Sequence, residues 1–165
     1  MKIYTLGHST RSLEEFLDIL KNFQIELVID IRKFPSSKKF PHFNKENLKT
    51  ELTKNSIQYI HYPELGGYRK EGYLAFSQSQ EFSQAIKKLL EIIDDKTAAI
   101  MCAEKFFWKC HRKYVSNFLT KLGNQVIHIL DKENIYEHKT SEDLKQKMNL
   151  KIFCDRVKKY KSSMD

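Results

Sequence analysis

With 165 residues, 41% of them hydrophobic and 30% charged, the chain has the size of one globular domain and enough apolar material for a core without covalent staples, which excludes a disordered or fibrous polymer. Twenty-nine Lys and Arg against 21 Asp and Glu give a formal charge of +8, which favours anionic partners such as nucleic acid, nucleotides or phosphorylated metabolites and also keeps Lys-rich helix faces soluble. Three cysteines, an odd number with no leading signal-like segment, argue against a disulfide framework, and no apolar run nears the roughly 20 residues of a membrane span, so the expected location is the cytoplasm.

Ile3 to Leu6 is a short β-favouring run that stops at Gly7 and predicts a first strand. Ser12 and Glu15 have the spacing of a capping box, and Leu13, Phe16, Leu17, Leu20 and Phe23 follow at helical period. Leu27 to Ile31 is nearly continuously apolar, as in a strand covered on both faces. A loop over 33–37 leads to a helix over 44–54 with Leu48 and Leu52 inward, and 57–61 reads as a third strand. Residues 63–77 are read as irregular, around Gly66-Gly67.

A helix then carries Phe82, Ala85, Ile86, Leu89, Leu90 and Ile93 on one face, followed by a strand over 98–102. The next helix spans about 112–122, with Gly123 placed as its terminating glycine, and 125–130 reads as a fifth strand. Strands alternating with helices predict an α/β fold: one domain over 1–138 with a mostly parallel central sheet of about five strands and helices on both faces. Residues 139–165 read as a Lys-rich C-terminal extension, partly helical near Ser141–Met148 and packed on the domain.

Parallel sheets bind ligands beyond the carboxyl ends of their strands, so the residues following each strand are the candidates. Cys102, His8, Glu104 and His111 are the candidates for catalysis: Cys102 as a strand-end nucleophile beside a helix N-terminus, the others as proton carriers. Gly7, Ser9, Asp30, Arg32, Gly66, Gly67, Arg69 and Arg112 are the candidates for holding substrate, with Arg32, Arg69 and Arg112 expected on one rim as a clamp for phosphate or carboxylate. Each has a plainer reading: Cys102 as a small core hydrophobe, Ser9 or Thr10 as turn caps, Asp30–Arg32 as a structural ion pair, Cys110 as a structural cysteine. Phe106, Phe107 and Trp108 either stack on a base or pack beneath their loop. The C-x7-C-H spacing of Cys102, Cys110 and His111 departs from common zinc patterns, so no metal or cofactor is expected, and metal binding stays a minor alternative.

Thr5-Leu6-Gly7-His8-Ser9, Asp30-Ile31-Arg32 with Pro35 and Ser37, Pro41-Phe43-Asn44, Glu64-Leu65-Gly66-Gly67 and Met101-Cys102-Ala103-Glu104 with Cys110-His111-Arg112 together resemble the domain-of-unknown-function family numbered 488, over about residues 3–130. One departure is Tyr68, which separates the double glycine from Arg69-Lys70. The resemblance implies an α/β fold and ties these motifs into one functional set. A weaker analogy is to rhodanese-like domains, which also carry Asp-x-Arg after an early strand and a cysteine at a later strand end; the chain lacks their compact cysteine loop.

Three functions follow as expectations: an enzyme acting on an anionic or nucleotide-like substrate, a nucleic-acid-binding module without catalysis, or a rhodanese-like sulfur-transfer or metal-binding domain. All rest on the topology delivering distant side chains to one rim.

Overall fold

The structure, a computed structural model, describes residues 1–142. Five strands run parallel: β1 (Lys2–Gly7), β2 (Leu27–Asp30), β3 (Gln58–His61), β4 (Ala98–Cys102) and β5 (Gln125–Ile129). A sixth, β6 (Ile135–Glu137), pairs antiparallel with β5 and completes the order β3-β2-β4-β1-β5-β6. This edge strand has no counterpart in the sequence reading, because its three residues are all exposed and leave no alternating pattern.

Four longer helices cover the sheet: α1 (Leu13–Asn22) and α2 (Lys45–Lys54) on one face, α4 (Gln80–Ile93) and α5 (Arg112–Lys121) on the other. A short helix, α3 (Tyr73–Ser77), lies within the stretch read as irregular; its Tyr73 and Phe76 pack edge-on to Phe82 of α4. Strand residues alternate between the layers. Ile3, Leu27, Ile29, Ala98, Ile100 and Cys102 face α4 and α5, whereas Leu6, Val28, Ala99, Met101 and Ile129 face α1 and α2. Helix ends follow the local chemistry: Ser12 Oγ accepts from Glu15 N at 3.1 Å, Ser79 Oγ accepts from Phe82 N at 3.1 Å, and Gly123 takes φ +84° just past α5.

The connections define where a site belongs. From β1 the chain leaves over the α1 face toward β2, and from adjacent β4 it leaves over the α5 face toward β5. Loops departing to opposite faces make the β1–β4 boundary the switch point of the sheet. No helix among the described residues is long and apolar enough to cross a membrane. The Lys-rich extension and the helix expected near Ser141–Met148 lie, beyond residue 142, outside the described residues.

Candidate functional site

The two loops at the switch point are zipped together. His8 N donates to Cys102 O at 2.9 Å and Ser9 N donates to Ala103 O at 2.8 Å, extending the β1–β4 pairing past the strands. Gly7 makes this approach possible, since a Cβ there would lie 1.8 Å from Glu104 O. Ser9 adopts φ +52° to complete the turn, and Ser12, rather than Ser9 or Thr10, caps α1.

On the α1/α2 side, Asp30, Arg32, His8 and Tyr59 form one buried network. Arg32 donates from Nε to Asp30 Oδ1 at 2.9 Å and from Nη2 to Asp30 Oδ2 at 2.6 Å and Phe43 O at 2.8 Å. Tyr59 Oη donates to Asp30 Oδ2 at 2.6 Å. Burial alone would lower the Arg32 pKa, but hydrogen bonds and charge attraction from Asp30 outweigh it and the pKa is raised. Burial, reinforced by Asp30, raises that of Tyr59.

Because a guanidinium only donates, the 3.2 Å contact between Arg32 Nη1 and His8 Nε2 makes Nε2 the acceptor. His8 therefore carries its proton on Nδ1 and donates it to Ser9 O at 3.0 Å. Its ring stacks on Phe43 at 4.3 Å. Both ring nitrogens are hydrogen-bonded, so His8 ties its loop to Arg32. Burial first, then the Arg32 charge, lower its pKa to about 4.

That shift predicts an acid-labile fold. A histidine depressed from 6.5 to about 4 stays neutral in the native state while the unfolded chain takes up a proton. Its contribution is complete above pH 6.5 and is lost as pH falls through 4, on the order of 3 kcal/mol by pH 4. Urea unfolding at stepped pH values is expected to show this loss, and His8→Asn to flatten that part of the slope. An unchanged profile in the variant would assign the acid lability to other groups.

On the α4/α5 side lies a second cluster. Cys102 at the end of β4 and Cys110 before α5 both lie buried, and the ring of His111 meets both sulfurs. Nδ1 is 3.7 Å from Cys110 Sγ and 3.9 Å from Cys102 Sγ. The donor atoms of all three residues lie within 4.8 Å of one another, although eight residues separate Cys102 from His111. A 3₁₀ turn at Phe107–Lys109 folds the intervening loop back.

Gly67 lies on the His111 ring, where a Cβ would fall 2.5 Å from Nδ1, and Gly66 packs on Lys33. The Arg112 backbone N and Nε both donate to Cys110 Sγ at 3.5 Å. Cys102 donates its proton toward Cys110, which lowers the Cys110 pKa, with His111 and Arg112 adding to the effect. That same hydrogen bond, together with burial, pushes the Cys102 thiol up. Cys110, read from the sequence as structural, thus shares one hydrogen-bonded cluster with Cys102, His111 and Arg112.

The expected three-arginine rim is not formed. Arg112 is 1% exposed and turned inward, donating to Thr5 Oγ1 at 3.2 Å and to the carbonyls of Glu104 and Lys105. Arg69 lies with its guanidinium 3.6 Å from the centre of the Phe76 ring, bonded to the Glu64 and Gly66 carbonyls and paired with Glu81 at 3.5 Å. Arg32 is held by Asp30. The Glu104 side chain points to solvent and only its carbonyl joins the loop. Cys102, His111 and Gly67 are thus brought together with Cys110, whereas His8, Asp30, Arg32, Gly7 and Ser9 build the neighbouring support, and Gly66 and Arg69 shape the loop between.

Two partners, His138 and Asn117, escaped the sequence reading. Thr5, His128 and His138 continue from Arg112 in a buried chain, with Thr5 Oγ1 to His128 Nδ1 at 2.7 Å, His128 Nε2 to His138 Nδ1 at 2.9 Å, and His138 Nε2 to Asn117 Oδ1 at 2.8 Å. Asn117 Oδ1 can only accept, so His138 Nε2 is the donor at that end of the chain. Phe107 stacks on His128 at 3.6 Å, which is packing under the loop, while Phe106 and Trp108 stack on each other and stay partly exposed.

A doubly wound α/β domain with a Cys/His cluster at its switch point is the class that fold and site define. The family model for the domain of unknown function DUF488 matches residues 12–119, well over half of the chain, and the protein belongs to that family. The match takes in the Asp30–Arg32, Gly66–Gly67 and Cys102–Arg112 motifs and begins after the His8 turn. No curated protein and no solved structure matches the chain.

Proposed function

We propose that the protein is an enzyme acting on an anionic, nucleotide-like substrate at the corner formed by Cys102, Cys110 and His111. The observation that carries this reading is the convergence of two sulfurs and an imidazole beyond the carboxyl ends of parallel strands, where such sheets take their ligands. In this reading His111 moves the proton, a sulfur of the pair contacts the reacting group, and the anion is held by lysines. Lys33, Lys70 and Lys109 are exposed on the three loops that meet at this corner, and they take the role that the buried arginines are not placed to fill.

The test is a thermal-shift titration with inorganic phosphate, nucleoside mono-, di- and triphosphates and small carboxylates. A ligand at 100 times its Kd adds about 2.7 kcal/mol, which is several degrees in Tm for a domain of this size. The expected result is stabilisation by at least one anion, weakened when Lys33 and Lys70 are replaced by Gln. The reading fails if millimolar anions leave Tm unmoved and Cys102 and Cys110 stay inert to thiol reagents until the protein unfolds.

A second reading, nucleic-acid binding without chemistry, is favoured by exposed aromatic pairs on the same edge. Phe34 and Tyr68 lie 6.2 Å apart, and Phe106 stacks on Trp108 at 4.7 Å, offering flat faces among lysines. Oligonucleotide affinity that falls steeply with salt, persists when both cysteines are replaced by Ser, and comes with no turnover selects this reading.

A further inference from the structure

We propose that Cys102, Cys110 and His111 form a binding site for a single Zn²⁺ ion with an open fourth position. The inference rests on the same corner as the enzymatic reading and refines it, because with an ion bound His111 and both sulfurs serve as its ligands and the open fourth position, rather than those side chains, meets the substrate.

The geometry supports it in four ways. Zn–S bonds of about 2.3 Å and a Zn–N bond of about 2.0 Å at tetrahedral angles separate S from N by about 3.6 Å and S from S by about 3.8 Å. The His111 Nδ1 atom is 3.7 Å and 3.9 Å from the two sulfurs, and all three donor atoms fall within 4.8 Å of one another, so the S–N distances need shifts of a few tenths of an ångström and the two sulfurs need to close by at most about 1 Å.

The donor chemistry is selective. Two thiolates neutralise a divalent ion, and sulfur with imidazole suits zinc rather than calcium or magnesium. The surroundings are those of a held metal ligand, since the Arg112 backbone N–H and Nε–H both donate to Cys110 Sγ, as outer groups do around ligating sulfur. The His111 ring, by contrast, has only sulfur as hydrogen-bonding company among the described residues, and it is pinned in place by Gly67.

Among the described residues no fourth His, Cys, Asp or Glu joins the cluster. Three protein ligands and one open position are the arrangement of catalytic zinc, in which the fourth place takes water or substrate, rather than of a closed structural site. The C-x7-C-H spacing hides this from sequence inspection, because the short turn at Phe107–Lys109 closes the distance.

The experiment uses the full chain with any purification tag removed. Metal content is measured by elemental analysis, and the metal-free protein is titrated with Co²⁺ and then with Zn²⁺. The expected result is one equivalent per chain, a thiolate-to-cobalt absorption band and displacement of cobalt by zinc. Cys110→Ser and His111→Ala are expected to lose the band. Gly67→Ala, which keeps every ligand but pushes on the His111 ring, is expected to weaken binding by about 10–100-fold.

A wild-type protein that shows no thiolate-to-cobalt band overturns the site, and so does uptake that is unchanged in all three variants. Circular dichroism checks that each variant is folded; if the ligand variants are not, the wild-type band and Gly67→Ala still decide. Metal uptake without any anion binding leaves the ion in place and removes the substrate reading. Anion binding without metal uptake does the reverse.

Discussion

Asp30→Ala is expected to cost about 3–5 kcal/mol, close to the limit of what a domain of this size tolerates. The carboxylate is fully buried and receives donations from the Arg32 backbone N, Nε and Nη2 and from Tyr59 Oη. Removing it leaves a guanidinium and a phenol in the α1/α2 layer without their acceptor, and the penalty is that of a stranded buried charge rather than the net worth of the pair. Urea unfolding at neutral pH should therefore show a large drop in midpoint at unchanged slope.

Asp30→Asn retains one acceptor and the shape and is expected to fall between the two. Asp30→Ala combined with Arg32→Met removes both charges together and should recover part of the loss, with a coupling of about 1–3 kcal/mol. Additive single-variant losses would show that the pair does not act as a unit. Since the Asp30 charge raises the His8 pKa and partly offsets Arg32, the single variant should shift the His8 titration further below its ordinary value.

What the sequence showed and what it hid follow from how far each feature depends on distant contacts. The alternation of elements was legible because buried strands such as Leu27–Asp30 are apolar throughout and the helices carry one apolar stripe, both local signals. The positions of Cys102, His111 and Gly67 near a switch point were legible once parallel topology was assumed. The direction taken by a long side chain was not. Arg32, Arg69 and Arg112 all follow strands, but each turns back to satisfy nearby carbonyls, a carboxylate or an aromatic ring, because a buried loop must find donors for its own backbone.

The partnership of Cys110 with Cys102 depends on a turn of three residues, and that of His138 with His128 on an exposed edge strand, so neither leaves a periodic trace. Asp30–Arg32 forms the ion pair of the plainer reading, and through Arg32 it also supports the His8 turn that is zipped to Cys102.

Gly7→Ala is the second substitution expected to be severe, at about 3 kcal/mol, the upper end of the overpacking range. The added Cβ would lie 1.8 Å from Glu104 O and 2.3 Å from Glu104 C, which are backbone atoms that cannot rotate away. Glu104 O is in turn held by the Arg112 Nη2 donor, so relief requires the β4–α5 loop to lift as a whole. Lifting it breaks the His8–Cys102 and Ser9–Ala103 hydrogen bonds and moves Cys102 relative to Cys110.

Two controls separate this steric effect from other causes. Gly72→Ala meets open space and suffers only from its φ of +84°, so it should cost about 1 kcal/mol. Glu104→Ala removes a solvent-exposed side chain while keeping the carbonyl, so it should be near neutral. The measurement is chemical unfolding of the three variants together with the rate at which Cys102 and Cys110 react with a thiol reagent under native conditions. Faster labelling in Gly7→Ala alone ties the first strand's terminal glycine to the geometry of the sulfur pair. Equal stability of Gly7→Ala and wild type would mean that the two loops are not packed as closely as the zipped backbone requires.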